Sequence, residues 1–291
     1  MRSPLRRHSG VVPGRLLRLL PSDLRADLRH RTGFAVPGDL AFRSRPPTPA
    51  VGERTGPPDF TVAGAAEAGS EWWYSAIVDR HDAAPVAASA ELSQFFSPYC
   101  TERFGPSEVA TFRASFTRRP GQLAGLWSPQ VAAHPWVPAL LAMAAPRTRL
   151  VVLVRDPIER LLAGLDRTVA ARPPHPGSYY SDAVDRSRYA QQLGWILRVF
   201  AAEQVLVLQT ERCLADPQGQ MARVSEFLGT DPPAAAPAVG AGPTWPPAAR
   251  GRLDPATLER LRKLYAPDVA DLGVLVPDLD LSWWPNFAEP A

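Results

Sequence analysis

A chain of 291 residues with 45% hydrophobic side chains has ample apolar material for one large α/β domain or two small ones, which excludes wholesale disorder. Its formal charge of +3 suits a polyanionic ligand but falls far short of a dedicated nucleic-acid binder, so no nucleic-acid partner is expected. Cys100 and Cys213 have no CxxC spacing and the five histidines no ligand spacing, so neither a disulfide framework nor a metal site is expected.

Residues 1–33 read as a basic arm (Arg2, Arg6, Arg7, Arg15, Arg18) that lacks the apolar core of a signal peptide. Leu16-Leu17 and Leu19-Leu20 beside these arginines leave two readings open, contact with an anionic membrane surface and a lightly docked arm. Residues 34–58 follow as a linker, too rich in proline (Pro37, Pro46, Pro47, Pro49, Pro57, Pro58) for regular structure. The expected organisation is therefore arm and linker over 1–58 and a compact domain over 59–291. No apolar run is long enough to span a bilayer, and the sparse cysteines suit a reducing, cytoplasmic setting.

The domain opens with a strand at 59–64, a loop of small residues between Gly64 and Gly69, and a helix over 70–80. Strand, glycine-bearing loop and helix N-terminus together form the usual cradle for an anion, yet Glu67 and Glu71 stand in it. Residues 97–130 read as irregular, with aromatics at Phe104, Phe112 and Phe116. A buried strand is expected at 149–154 (RLVVLV), then a helix over 158–171. Helical spacing at Tyr189, Leu193, Ile196, Leu197 and Phe200 precedes a second buried strand at 204–208. The next helix shows both end signals, Asp216-Pro217 before it and Gly229 after it. A proline- and alanine-rich insert at 232–250 and a helix near 256–265 complete the chain. Short apolar strands alternating with amphipathic helices indicate a parallel sheet covered on both faces.

Gly64 to Gly69 has the spacing of a nucleotide-hydrolase loop, but Ser70 stands where the lysine is needed and Glu71 where the magnesium-binding hydroxyl belongs. Hydrolysis of ATP or GTP is not expected on that ground, and a kinase on the same frame falters at Ser70.

The stretch instead resembles the first motif of the sulfotransferases that use 3′-phosphoadenosine 5′-phosphosulfate (PAPS), G-x-P-K-x-G-T-T-W-L. Gly64, Gly69, Ser70 and Trp72 match, while Ala66, Glu67 and Glu71 replace the Pro, the Lys and the second Thr. "ASAELSQFF" (88–96) is similar to the family's K-E-x-x-F-F segment, keeping Glu91, Phe95 and Phe96 with Ala90 for the Lys. "GLWSPQ" (125–130) resembles G-E-x-S-P-x-Y without its Glu and Tyr. "RDPIERLLA" (155–163) resembles R-[DN]-P-x-x-R-x-x-S, with Ala163 in place of the Ser.

The resemblance implies a P-loop-like three-layer α/β fold, a central parallel sheet flanked by helices. It implies PAPS as co-substrate, no metal, and an acceptor hydroxyl or amine on a carbohydrate or small molecule. By the same resemblance Glu91 is the catalytic base, Gly69 and Ser70 meet the phosphosulfate, Trp72 stacks on adenine and Arg155 binds the 3′-phosphate. Plainer roles stand beside these: a solvated Glu91, a surface pair of Arg155 with Asp156, a core Trp72, and Glu71 capping its own helix. Arg160 one turn on reads as structural. Arg103, Arg113, Arg118 and Arg119 in the irregular segment are candidates to replace the missing loop lysine, and sequence does not place any of them there. The departures also admit a catalytically impaired relative that binds nucleotide or acts as a scaffold.

Overall fold

A computed structural model describes residues 46–81, 83–84, 92–171, 183–231 and 253–288, the side chains of 167–171 aside. The arm, the expected extended piece near 85–87, Glu91 and the insert at 232–250 lie outside the described residues.

Runs of Val and Leu without polar alternation suit a sheet covered on both faces, and they form its strands. The strands are β1 (Arg54–Thr55), β2 (Phe60–Val62), β3 (Thr117–Arg118), β4 (Gly125–Trp127), β5 (Arg149–Val154) and β6 (Val205–Gln209). One four-stranded sheet has the order β4-β2-β5-β6, and every pairing in it is parallel. Thr61 stands between Leu126 and Leu150, and Val151 pairs with Leu206, so the middle strands are apolar on both sides. The helices are α1 (Ser70–Arg80), α2 (Pro106–Ala114), α3 (Gln130–Ala133), α4 (Val137–Ala144), α5 (Pro157–Ala171), α6 (Tyr189–Leu197), α7 (Thr210–Ala215), α8 (Pro217–Leu228) and α9 (Pro255–Leu275). They flank the sheet, giving the expected three-layer α/β fold. Parallel strands must be joined by crossovers, which places the segments after β2, β4, β5 and β6 at one carboxyl edge.

Three stretches differ from expectation. Arg54–Thr55, within the proline-rich segment, pairs antiparallel with Thr117–Arg118 as a separate two-stranded ribbon. Residues 97–130 are largely regular. Pro106 opens α2, and the Glu108 carboxylate reaches back to accept from Gly105 N at 2.9 Å, a cap hidden among the aromatics. Phe112 on that helix packs 5.1 and 4.9 Å from the rings of Phe95 and Phe96, fixing the segment just beyond Glu91. Finally, α9 runs through Pro267 to Leu275. An interior proline costs a helix about 3 kcal/mol. Buried Tyr265, Val269 and Leu272 hold both halves to the core, and Asp268 accepts from the amides of Ala190 and Gln191 at the start of α6. The ends of α8 are as read from sequence: Asp216 accepts from Gly219 N at 2.9 Å, and Gly229 is left-handed at φ 70°.

Candidate functional site

The loop after β2 leaves from the carboxyl edge, where Ala63 N still donates to Val151 O at 2.8 Å. A Cβ on Gly64 would lie 2.5 Å from Ser70 Cβ and 3.2 Å from Leu153 Cβ, so only glycine lets strand end and helix start approach so closely. Gly69, the N-cap of α1, takes the left-handed conformation at φ 80°. Glu67 does the same at φ 66°, which costs a residue with a side chain about 1–3 kcal/mol unless its surroundings enforce it.

They do so from beneath. Three successive loop carbonyls are held by buried donors: Ala66 O by Arg160 Nε (2.8 Å), Glu67 O by Arg155 Nη1 (3.3 Å) and Ala68 O by Thr210 Oγ1 (2.6 Å). Arg155 and Arg160 come from the end of β5 and the first turn of α5, and Thr210 from the start of α7. A trans peptide sets N–H opposite C=O. The amides of Glu67 and Gly69 are therefore turned away from these donors, and both residues line a cleft of about 510 Å³.

Ser70, Glu71, Trp72, Trp127 and Arg186 share that wall. Ser70 Oγ accepts from Trp127 Nε1 at 3.1 Å, which leaves its own proton to donate elsewhere. Trp72 is half-buried against Trp73, with ring centroids 5.2 Å apart, and Trp73 is the core member of the pair. The Trp72 indole N–H is buried without an acceptor among the described residues. Glu71 is exposed, and no hydrogen bond among the described residues ties its carboxylate to the helix start.

The structure thus brings Gly69, Ser70 and Trp72 to one cleft and sets Arg155 under its floor, 7% exposed. Neither Arg155 nor Asp156 is a surface group. Asp156 caps α5 through the amides of Ile158 and Glu159 and receives both the amide and the side chain of Asn286. The four arginines that are candidates to replace the loop lysine are placed elsewhere. Arg113 caps the last carbonyls of α4, Arg118 pairs with Asp59 at 3.0 Å, and none of the four lines the cleft. Arg186 lines it instead. No sequence motif marks Arg186, whereas Trp127 lay within GLWSPQ and could have been singled out as the Ser70 partner.

Below this floor sits Glu211, whose carboxylate accepts from Asp156 N (2.9 Å) and Trp284 Nε1 (3.1 Å). Burial pushes its carboxyl up to about 7, against the partial opposition of the Asp156 amide, its own amide and the Arg155 charge. Folding therefore raises its proton affinity. The stability so gained is fully present below about pH 4.5 and is lost as pH rises through about 7. Glu211→Gln, which cannot ionise, is expected to show a stability less dependent on pH between 5 and 7.5. The difference accumulated between those two pH values should amount to about 2 kcal/mol by urea unfolding. Parallel pH profiles for the two proteins would contradict this.

Among the described residues no group of side chains could hold a metal ion, and no helix is long and apolar enough to cross a membrane. A family model described as "Sulfotransferase domain" matches residues 57–236. Heparan sulfate glucosamine 3-O-sulfotransferase 3B1 of Homo sapiens is 32% identical over 107 residues, covering 32% of this chain and 27% of that protein. Heparan sulfate glucosamine 3-O-sulfotransferase 6 of Homo sapiens is 26% identical over 205 residues, covering 64% of this chain and 57% of that protein. Each match covers less than two thirds of the relative's own length. The crystal structure of a sulfotransferase from Alicyclobacillus acidocaldarius superposes with a TM-score of 0.61 at 22% identity, covering 78% of this chain and 98% of that one, a likeness of fold.

Proposed function

The chain belongs to the sulfotransferase domain family, and from that membership we propose that it transfers a sulfuryl group from PAPS to a hydroxyl or amine of a carbohydrate or small metabolite. The observation that carries the reading is the loop with three tied carbonyls, whose Glu67 and Gly69 amides turn away from the buried donors at the rim of a cleft. Gly69 and Ser70 would hold the phosphosulfate and Trp72 the adenine, while Arg155, now under the floor on the Glu67 carbonyl, would turn from that carbonyl to meet the 3′-phosphate. Arg186 would supply positive charge where the family's lysine is missing. The orphaned indole N–H of Trp72 and the free proton of Ser70 fit a ligand rich in acceptors, while Glu67 and Glu71 oppose its anionic end.

When bound, PAPS supplies the sulfuryl group. The protein's part is to fix the anion on the loop, to hold Ser70 through Trp127, and to take the acceptor's proton on Glu91. The glucosamine in the names of the heparan sulfate relatives supports a carbohydrate acceptor. Glu67 and Glu71 in the cleft wall favour a second reading, a module that binds the nucleotide without turning it over.

Calorimetry with two nucleotides tests the site. Adenosine 3′,5′-bisphosphate is expected to bind about tenfold or more tightly than adenosine 5′-phosphate, because an arginine–phosphate contact is a charge-assisted one. Arg155→Ala should erase the ratio even where it also loosens the loop. Equal affinities in the unaltered protein would refute the nucleotide site. Tight binding without transfer of labelled sulfate to any carbohydrate acceptor would select the non-catalytic module.

A further inference from the structure

A second cleft, of about 410 Å³, lies at the opposite, amino edge of the sheet. Arg149 opens β5 and Arg155 follows its last residue, so the two clefts stand about 20 Å apart along that strand. Four arginines line the second cleft (Arg54, Arg118, Arg147 and Arg149), and Asp59 is its sole carboxylate among the described residues. Asp59 is already committed. Its oxygens accept from Ala124 N at 2.8 Å and Arg118 Nη2 at 3.2 Å, and Arg118 Nε lies 3.0 Å away.

Two features of the cleft are costly without an anion. Arg54 and Arg118 are direct partners across the β1–β3 ribbon, and like charges in that position destabilise a ladder. The Arg118 side chain is only 6% exposed, yet its Nη1 is buried with no hydrogen-bond partner among the described residues. A guanidinium group that is buried and half-satisfied is expensive to keep. Arg149 is anchored by donating to Phe227 O and lying 5.9 Å over the Phe227 ring, which leaves its other N–H groups for the cleft. Arg54 and Arg147 are exposed at the rim.

We propose that this cleft binds a tetrahedral oxyanion, a sulfate or phosphate group. Arg118 and Arg149 form its floor and Arg54 and Arg147 its movable rim. The group could arrive as the free ion or on a sulfated polysaccharide, and both present the same three or four acceptor oxygens to the forked donors. The site is independent of the nucleotide cleft and of the reaction proposed there.

The test uses the full chain with the nucleotide cleft saturated by adenosine 3′,5′-bisphosphate. Inorganic sulfate and sulfated dextran are titrated, with uncharged dextran as control. Because Arg118 supports the fold through Asp59, the variant is the exposed pair Arg54→Ser with Arg147→Ser. Binding of inorganic sulfate, weakened about tenfold or more in the double variant and unchanged in Arg155→Ala, supports a site for the free ion. Binding of sulfated dextran alone, weakened in the same variant, supports the same site reading the group on a polymer. Binding of neither, or binding that the double variant leaves unchanged, overturns the proposal. So does binding that Arg155→Ala abolishes, because the anion would then sit in the nucleotide cleft.

Discussion

Replacing Glu67 by lysine is expected to tighten binding of adenosine 3′,5′-bisphosphate by about tenfold or more, one decade being about 1.4 kcal/mol. Glu67 sits in the wall of the cleft beside Gly69 and Ser70, where the ligand's 5′-phosphate would lie. A unit-charge contact at 4 Å is worth about 4 kcal/mol at an effective dielectric near 20, and the substitution reverses its sign. Solvent at the open cleft screens most of that, and a tenfold gain asks for only a fraction of it. The backbone is held by Arg155 on the Glu67 carbonyl, so the new side chain inherits the same left-handed position at φ 66°. The gain should shrink as salt is raised. An affinity unchanged within twofold would mean that the anion does not meet this residue. Adding Glu71→Thr removes the second carboxylate and is expected to raise transfer. Glu91→Gln in that background should then cut the rate by about 10²–10⁴-fold, the usual range for a lost general base. If Glu91→Gln leaves the rate intact, the acceptor's proton goes elsewhere.

Arg160→Leu is expected to destabilise the protein by about 3–5 kcal/mol and to lower its melting temperature by roughly 10 °C. Arg160 is 2% exposed, and its side chain joins three parts of the chain. Nε donates to Ala66 O in the loop, and Nη1 donates to Ala183 O and to Ser187 Oγ at 3.4 Å. Ser187 in turn donates to Pro157 O at 2.9 Å, closing the network on the first residue of α5. Leucine fills much of the volume but strands these acceptors in the interior, each at about 1–3 kcal/mol if water cannot reach it. Gly164, one turn on, makes room for the guanidinium: a Cβ there would stand 3.0 Å from Arg160 Nη2. Arg160→Lys keeps the charge but not the fork, and should recover only part of the loss. A melting temperature within about 3 °C of the parent for Arg160→Leu would show that the loop does not depend on this residue.

Local pattern is enough to specify the parallel sheet, the glycine loop and the helix that follows it. Unbroken apolar runs, fixed glycines and cap residues act locally and leave periodic traces, as at RLVVLV, Gly64 to Gly69 and Asp216-Pro217. The family was legible for the same reason: Arg155, Asp156, Pro157 and Arg160 are near neighbours in the chain. Features that depend on long-range partners emerge only once the chain is folded. Helix α2 has local start signals in Pro106 and the Glu108 cap on Gly105, but its place is set by a ring cluster with Phe95 and Phe96 that no local pattern announces. Helix α9 passes Pro267 because burial of Val269 and Leu272 outweighs a local penalty that sequence reading takes as an end. Arg118 and Arg113, plausible on charge alone, are drawn away from the loop by Asp59 and by the carbonyls of α4, while Arg186 is delivered to the cleft by a segment with no motif. The loop's shape is the clearest case. Its glycines permit the turn, but three donors 88, 94 and 142 residues away select the one conformation that holds Glu67 left-handed, and no local signal encodes a contact at that range.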